Sequence, residues 1–390
     1  MKQESEYTYN EPTTAEIYSR QYVLKNIFLY IACAYAVYLC LTSVIWRSLS
    51  NKKKISFEKS KEMCLTKNME QVDESINKEP TIAEPYKREY IMKNIIFFIY
   101  SYIGGLYGLY LGFTSATWGT IIFTLISYFL TILGLTAGAH RLFSHKSFKA
   151  TKPLQVFLML CHSLAYQRTL VTWVRDHRLH HKFSDTDADP HNISRGFFFS
   201  HLGWLLVKNH PEMVKRREMV DMSDVYGNEV VMFQKRHAQW LLPLFGIIIP
   251  TTIPWVLGDN FSNSWHLNIF RYMVTSNLTF LTNSLLHSWG YKPYDKTVSA
   301  CQNLPLIVMT MGEGFHNYHH AFPWDYRTGE LGNNSLNYIT KVIDGFEKVG
   351  LAFDLKTASE GVVEERKRRT GDGKDLWGRE NKEVRLRSKL

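Results

Sequence analysis

Three short clusters of histidine constrain the fold of this chain more than any other feature of its sequence. Eight of the fifteen histidines fall in His140-Arg-Leu-Phe-Ser-His145, His177-Arg-Leu-His180-His181 and His316-Asn-Tyr-His319-His320. Isolated histidines often cap helices or sit in a core, but such roles do not concentrate them in this way. Imidazole is the commonest metal ligand in proteins, so the clusters predict a metal site that the fold assembles from distant segments.

The spacing within each cluster indicates how it is presented. In the second and third clusters the first histidine is followed by others at i+3 and i+4, which a helix places on one face. The first cluster is different, because a regular α-helix separates residues five apart by about 140° around its axis. His140 and His145 therefore fit best where a helix ends or bends toward a shared centre.

The ligand type narrows the choice of metal. The clusters contain no matching set of cysteines or carboxylates, which disfavours a zinc finger and a carboxylate-bridged di-iron bundle. Iron, copper or zinc held by imidazole remain. The histidines outnumber what a single ion can use, so two metals are predicted.

Long apolar runs predict a membrane protein. About 20 helical residues cross the core of a bilayer, and we predict such helices at about 95–113, 118–137, 240–257 and 269–289, with a further run at 27–46 that is long enough to span. The short connections within each helix pair lack Lys and Arg, whereas 138–239 is rich in basic residues. By the positive-inside rule this stretch is cytosolic, and all three clusters then face one compartment.

Composition and a repeat suggest the domain organisation. Residues 11–27 recur in similar form as 79–95, so we expect a duplicated helix and charged linker at 1–78, a main domain at 79–375 and a basic tail at 376–390.

The net charge of +10 and the pI near 9.1 fit an anionic membrane surface or phosphorylated ligands. No nucleic-acid partner is expected. Five scattered cysteines form no disulfide framework, which fits a reducing compartment.

The last apolar helix carries a polar pair, Asn283 and His287, at i, i+4 spacing. Polar groups in a span are costly, so such a pair either bonds between helices or has a function. With the three clusters nearby, we expect His287 to be a ninth ligand. Asn283 would contact the metal through a water molecule or form a hydrogen bond with one of the ligating residues.

Further motifs surround the clusters and are similar to those of a known family. They are Gly134-Leu-Thr-Ala-Gly-Ala-His140, Trp173-Val-Arg-Asp-His177, Asp187-Ala-Asp-Pro-His-Asn192, Arg195-Gly-Phe-Phe-Phe-Ser-His-Leu-Gly-Trp204, Gly312-Glu-Gly-Phe-His316 and Arg369-Thr-Gly-Asp-Gly373. Together they resemble the membrane acyl-CoA desaturases of the stearoyl-CoA desaturase type, and most of all their insect branch. The resemblance runs from about Glu79 to Gly373.

The resemblance implies an all-α fold and a metal-dependent activity. The fold would be a membrane-embedded helical bundle of four core transmembrane helices, plus a possible extra N-terminal helix, with a helical cytosolic cap that holds a di-iron site. It would lie in the endoplasmic reticulum membrane, among lipid, with the catalytic face cytosolic. The residues that match the family's iron ligands are His140, His145, His177, His180, His181, His287, His316, His319 and His320, with Asn283 acting through water.

The implied reaction places a cis double bond in a fatty acyl-CoA with dioxygen, most simply at Δ9 or Δ11 of a palmitoyl- or stearoyl-length chain. An unactivated methylene is beyond acid–base chemistry, so the oxidising power must come from the metal cofactor. Electrons would come from NAD(P)H through a reductase and a separate cytochrome b5, since the tails contain no His-Pro-Gly-Gly haem loop. A hydroxylase with the same clusters is the nearest alternative. A histidine-rich metal transporter is another, but its ligands would lie at midplane depth.

The resemblance also implies substrate contacts. Positions matching the family's head-group and acyl contacts are Lys93, Asn94, Gln167, Trp173, Arg175, Asp176 and Lys208, with Tyr128 and Ile132 at the closed end of an acyl tunnel. The usual Gln-Asn before the second cluster is Gln167-Arg168 here, so the head group could be held differently. Carboxylates expected to support the ligating imidazoles are Asp187, Asp189 and Glu313, although helix capping is an equal alternative for them.

Overall fold

The computed structural model describes residues 88–330 and 336–380, and these parts are mostly helical, with little strand. The predicted helix at 27–46, the first copy of the duplicated segment, the boundary at 78 and residues 381–390 of the basic tail lie outside the described residues.

Two apolar helices open the described chain. They are α1 (Met92–Thr114) and α2 (Trp118–Leu133), joined by a tight turn in which the Thr117 side chain accepts a hydrogen bond from the Thr120 backbone N–H. This cap satisfies one of the free donors at the start of α2. α2 then continues as a π-helix over Gly134–Ser144. The helix predicted at 118–137 therefore extends through the first histidine cluster.

A cap of short elements follows. A two-stranded antiparallel ribbon pairs β1 (Lys149–Ala150) with β2 (Ala352–Phe353), with Lys149 opposite Phe353. The helical elements are α3 (Lys152–Ala165), α4 (Leu170–Phe183), a 3-10 turn (Ile193–Arg195), a π-helical turn (Phe199–Gly203), α5 (Trp204–Leu206), α6 (Pro211–Arg216), a 3-10 turn (Arg217–Met219), α7 (Ser223–Tyr226) and α8 (Glu229–Arg236).

The third apolar helix is irregular because it contains prolines. It consists of α9 (Ala238–Pro243), a π-helical turn (Leu244–Ile248) and α10 (Ile249–Val256). Proline lacks a backbone donor and disturbs the helical ladder. The guanidinium of the buried Arg271 donates to the carbonyl oxygen of Gly246 at 3.2 Å, so the disturbed turn keeps a hydrogen-bond partner in an apolar bundle.

The fourth core helix, α11 (Phe261–Ser284), ends in a 3-10 turn at Leu285–His287. It begins ahead of the predicted 269 because the Asn260 side chain accepts a hydrogen bond from the Asn263 backbone N–H at 2.8 Å. α11 packs closely along α1, where a Cβ on Gly108 would overlap the backbone of His266. Small residues allow such close helix contacts in membranes.

Three helices in the described residues are long and apolar enough to cross a membrane, namely Met92–Thr114, Trp118–Ser144 and Ala238–Val256. α11 has 24 residues but buries several polar side chains, including Asn268 and Arg271. The four predicted core helices are thus present, and three of them meet the length and hydropathy expected of a span.

The C-terminal part completes the cap. Its helices are α12 (Leu304–Met309), α13 (His316–Ala321), α14 (Tyr338–Lys348) and α15 (Glu360–Thr370). Tyr318 of α13 and Phe322 at its end pack with Tyr294 in an aromatic core, with the rings of Tyr294 and Tyr318 centred 4.9 Å apart. Such packing fixes the short helix that carries the third histidine cluster.

Candidate metal centre

The first histidine cluster lies on the π-helix. The backbone N–H of His145 donates to the carbonyl oxygen of His140, five residues earlier, at 3.1 Å. A π-helix forms hydrogen bonds from i to i+5, so it brings residues five apart close together. The two imidazole rings have centroids 4.9 Å apart. The π-helix therefore explains the five-residue spacing of this cluster. The sequence predicted a helix that ends or bends here, and the structure has a π-helix at this place.

The second cluster occupies the last turns of α4, which Thr169 caps by accepting a hydrogen bond from the Thr172 backbone N–H. Arg178, between the cluster's histidines, contacts the end of the π-helix. Its guanidinium donates to the carbonyl oxygens of Phe143 and Ser144 at 2.8 and 2.9 Å. A charged clamp of this kind fixes α4 against the end of the π-helix, and with it the relative position of the two clusters.

The third cluster begins α13. Its buried Asn317 accepts a hydrogen bond from the Tyr294 backbone N–H and donates to the carbonyl oxygens of Asp295 and Ala300. A Cβ on Gly314 would overlap the backbone of Ile307, so only glycine fits at the turn that leads into the cluster. Asn317 therefore anchors the cluster to the loop that follows His287.

Two groups of ring nitrogens result. In each group the candidate ligand atoms lie within 4.8 Å of one another, and the groups consist of His140, His145, His177, His181 and His319, and of His180, His287, His316 and His320. All nine histidines predicted as ligands are included. The sequence predicted their meeting but left their division between two metals open.

Within the first group, Nε2 of His319 lies 2.9 Å from Nε2 of His140 and 3.0 Å from Nε2 of His181. Nε2 of His145 lies 2.8 Å from Nε2 of His177. Five Nε2 atoms converge here from three separate segments. Imidazoles that meet through the same nitrogen, with their other nitrogen facing outward, form a donor set suited to a metal ion.

The second group is built in the same way. Nε2 of His316 lies 2.9 Å from Nε2 of His287 and 3.2 Å from Nε2 of His320. Nε2 of His180 is buried and has no hydrogen-bond partner among the residues that the structure describes. A buried polar atom without a partner is energetically costly, and a bound metal ion would supply the missing partner for this nitrogen.

The protonation state of the rings suits this role. Burial lowers the pKa well below its ordinary value for seven of the nine, and the neighbouring rings add to the effect; these are His145, His177, His181, His287, His316, His319 and His320. Neutral imidazole is the form that binds metal. Burial therefore favours the neutral, metal-binding form of these seven rings.

Glu313, one of the three carboxylates expected to support the imidazoles, contacts the first group. Its carboxylate lies 2.8 Å from Nδ1 of His140 and 2.7 Å from the guanidinium of the fully buried Arg141. Burial alone would raise the pKa of the Glu313 carboxyl, but Arg141 and His140 outweigh it and lower that pKa below its usual range. An ionised carboxylate on Nδ1 fixes the ring so that Nε2 faces the centre.

Asp189 supports the second group, while Asp187 does not. The buried Asp189 carboxylate lies 2.9 Å from Nδ1 of His180 and also accepts from the backbone N–H groups of Asp185 and His191. Burial would raise its pKa, but the neighbouring histidines and these hydrogen bonds lower it. Asp187 is exposed, and the structure does not bring it to the histidines. The prediction for Asp187 is therefore corrected in favour of its neighbour.

Sequence reasoning missed the residues that orient His287. Its Nδ1 lies 2.7 Å from the Ser299 hydroxyl and 4.0 Å from the Asp185 carboxylate. Burial raises the pKa of Asp185, whose φ of +63° places it at a sharp turn after α4. Ser299 lies in an irregular loop with no motif to mark it. Arg141, by contrast, directly follows His140 in the first cluster, so its position in the motif could have indicated a role beside the ligands.

Two cavities adjoin the histidines and share one wall, formed by Trp173, His177, Thr279 and Asn283. The inner cavity is lined by Ile132, Leu135 and Leu278 together with histidines of both groups, His140, His177, His180 and His316. The outer cavity is lined by Asn94, Gln167, Arg168 and Asp176 among others. An apolar space and an outer cavity that mixes aromatic with polar and charged side chains therefore meet beside the candidate metal centre.

The predicted substrate residues divide between these cavities and other places. Asn94, Gln167, Trp173, Asp176 and Ile132 line the cavities, and Asn283 lines both. The others are absent from these linings: Lys93 is exposed, Lys208 forms an ion pair with Glu89, Arg175 forms one with Asp176, and the Tyr128 hydroxyl donates to the Met309 carbonyl oxygen at 3.4 Å. Arg168 lines the outer cavity in place of the family's usual amide.

Known proteins share much of this chain. A family profile described as fatty acid desaturase matches residues 115–331. The chain is 53% identical over 296 residues to an acyl-CoA Delta(11) desaturase of Spodoptera littoralis, covering 76% of this chain and 88% of the relative. It is 49% identical over 304 residues to an acyl-CoA Delta-9 desaturase of Acheta domesticus, covering 77% and 85%. It is 46% identical over 291 residues to stearoyl-CoA desaturase 2 of Mus musculus, covering 74% and 81%.

Proposed function

The chain belongs to the fatty acid desaturase family, and we propose that it is an acyl-CoA desaturase that inserts a cis double bond into a fatty acyl-CoA. One observation carries the proposal. The inner cavity is lined both by apolar side chains and by histidines of both groups, so an acyl chain in it would pass beside the metal centre. The substrate is a palmitoyl- or stearoyl-length chain, and the bond forms at Δ9 or Δ11.

The donor set fits two iron ions. His140, His145, His177, His181 and His319 would hold one, and His180, His287, His316 and His320 the other, with Asn283 acting through water. Bound iron, with dioxygen and electrons, supplies the oxidising power that removal of hydrogen from a methylene requires. Glu313 and Asp189 hold the rings of His140 and His180 in place. Trp173 and Thr279 line both cavities and would contact the chain on its way to the centre.

The outer cavity would receive the head group. The Asp176 carboxylate, which is buried, lies 2.8 Å from Arg168, 3.1 Å from Arg175 and 3.8 Å from Arg217. Three guanidinium groups around one carboxylate leave a net positive charge, which would bind the phosphates of coenzyme A. Lys93 and Lys208, both exposed, would meet the more distant part of the head group.

The chain is a membrane protein, and we place it in the endoplasmic reticulum with its histidine cap in the cytosol. The basic residues of the cap support this orientation. Electrons would come from NAD(P)H through a reductase and a separate cytochrome b5. The fatty-acyl hydroxylase alternative has less support, since each of the three relatives above carries a desaturase name.

Product analysis tests the function. The chain and its His316→Ala variant would be expressed in cells that lack their own acyl-CoA desaturase, and their fatty acids analysed by mass spectrometry. We expect monounsaturated products from the natural chain and none from the variant. Hydroxylated acyl chains in place of olefins would support the hydroxylase, and saturated lipids alone, despite iron-loaded protein, would contradict both.

A further inference from the structure

A second opening leads to the metal centre from outside the substrate cavities. This cleft, which we call the His145 cleft, is lined by His145, Lys146, Arg178, Lys182, Met219 and Trp324 among others, and none of its lining residues lines either substrate cavity. His145 belongs to the first group of ring nitrogens. The cleft therefore reaches a candidate ligand directly, with no side chain in between.

The chemistry of the cleft suits an acidic protein. Three basic side chains, Lys146, Arg178 and Lys182, line it together with the acidic Asp221. The Asp224 carboxylate pairs with both Lys146 and Arg178, at 3.1 and 2.8 Å, so one positive charge remains in excess. The Lys146 side chain is 50% exposed and Lys182 is exposed. Trp324 and Met219 expose 44% and 50% of their surface beside these charges. An exposed aromatic residue within a basic rim is typical of a surface that binds another protein.

The cleft is also held in a fixed shape. Its Arg178 guanidinium forms two hydrogen bonds of 2.8 Å with the Asp224 carboxylate. The Lys182 ammonium donates to the Met219 carbonyl oxygen at 2.6 Å, and Lys146 has a φ of +50° that turns the chain immediately after His145. A surface with its side chains already positioned loses little freedom on binding a partner.

We propose that the His145 cleft is the docking surface for the electron donor, an acidic protein that carries a one-electron cofactor near its surface. This inference rests on the proposed function. Each desaturation takes two hydrogens from the substrate, two electrons from the donor and two protons from solvent, and it reduces one dioxygen to two waters. The donor is oxidised in two one-electron steps. Because acyl-CoA fills the other route during turnover, the donor must approach from a separate side.

Purified full-length enzyme, palmitoyl-CoA or stearoyl-CoA and purified cytochrome b5 provide the test. Lys182→Glu and Trp324→Ala are the main variants, with Lys146→Glu beside them. Lys152→Glu is the matched control, because Lys152 is an exposed lysine in an ion pair with Glu229 outside the cleft. The KM for reduced cytochrome b5 is measured at several salt concentrations. Single-turnover desaturation after reduction with dithionite is measured in parallel, and it needs no docking.

We expect Lys182→Glu and Trp324→Ala to raise the KM for cytochrome b5 about tenfold, as rim charges and exposed anchors do at other interfaces. Their dithionite-driven turnover and that of the control should equal the natural enzyme's. An unchanged KM in both variants, with the natural enzyme active, would overturn the docking site and leave the function standing. Failure of the natural enzyme to form olefin with dithionite would instead contradict the function. If Lys146→Glu lowers the dithionite-driven turnover, this substitution has disturbed the neighbouring His145, and the KM values of Lys182→Glu and Trp324→Ala then decide whether the cleft is the docking site.

Discussion

The backbone N–H of His145 donates to the carbonyl oxygen of His140 at 3.1 Å, and this single hydrogen bond places both rings on one side of the π-helix. A regular α-helix would direct them about 140° apart. The π-helix at Gly134–Ser144 is therefore part of the candidate site, since it allows one segment to supply two neighbouring ligands. Local departures of this kind occur often at functional sites.

The start of the π-helix depends on Gly134. A Cβ there would overlap the backbone of Cys161 and His162 on α3. We expect Gly134→Ala to push the two helices apart, to lower the free energy of unfolding by about 1 to 3 kcal/mol, and to reduce iron content. Thermal unfolding and elemental analysis of purified protein measure both effects.

Gly345→Ala on α14 is the matched control, because a Cβ there meets nothing within 4 Å. Alanine is favoured over glycine in a helix by about 0.5 to 1 kcal/mol, so this variant should be as stable as the natural chain or slightly more so. Equal unfolding temperatures for Gly134→Ala and the natural chain would show that the helix contact is looser than described.

The two groups of ring nitrogens predict separable metal losses. His319→Ala removes a ligand atom that lies within 3.0 Å of ring nitrogens from the first and second clusters, whereas His180→Ala affects the other group. Each variant should lose iron and activity while it still inserts in the membrane. His237 is an exposed histidine outside both groups, so His237→Ala should keep its iron and its activity. Full turnover by either purified ligand variant would remove that residue from the metal centre.

The choice between two nearby carboxylates can be tested directly. Asp189→Asn removes the charge that orients His180, so we expect iron affinity or activity to fall about 10- to 100-fold. Asp187→Asn changes an exposed residue and should have no effect. Iron titration and turnover of the two variants distinguish them. A larger loss in Asp187→Asn than in Asp189→Asn would reverse the assignment.

These residues also show what the sequence could reveal. Spacing within a helix identified the faces of the second and third clusters, because helical geometry is local. Asp187 and Asp189 are equivalent in such a pattern, and only the turn after α4 decides which of them is buried. Ser299 reaches His287 through an irregular loop, which has no periodicity to read. Long-range contacts of this kind depend on the path of the chain.

The same limit applies to the ends of helices. The apolar run at 269–289 revealed the later part of α11 through its end at Ser284, but not its polar first turns, which Asn260 caps. The helix predicted at 118–137 did continue, but as a π-helix that hydropathy cannot distinguish from an α-helix. The division of nine histidines into groups of five and four also required the fold, because every histidine is chemically equivalent in the sequence.

Ile132 gives a prediction about chain length. Its side chain is 4% exposed and lines the inner cavity. Ile132→Ala would lengthen the apolar space, so products should shift severalfold from palmitoyl toward stearoyl chains, as expected for a change of one or two methylene groups in a pocket. Ile126→Ala is the control, since Ile126 is 54% exposed on the same helix. An unchanged product ratio for Ile132→Ala would mean that the acyl chain ends elsewhere.

The central claim is that nine histidines hold two irons that perform desaturation. Elemental analysis of active, iron-replete purified protein, with product analysis of the same sample, tests it most directly. We predict two irons per chain, and olefin formation that rises and falls with iron content as the metal is removed and restored. Full desaturation by protein that contains one iron per chain, or zinc in place of iron, would contradict the claim.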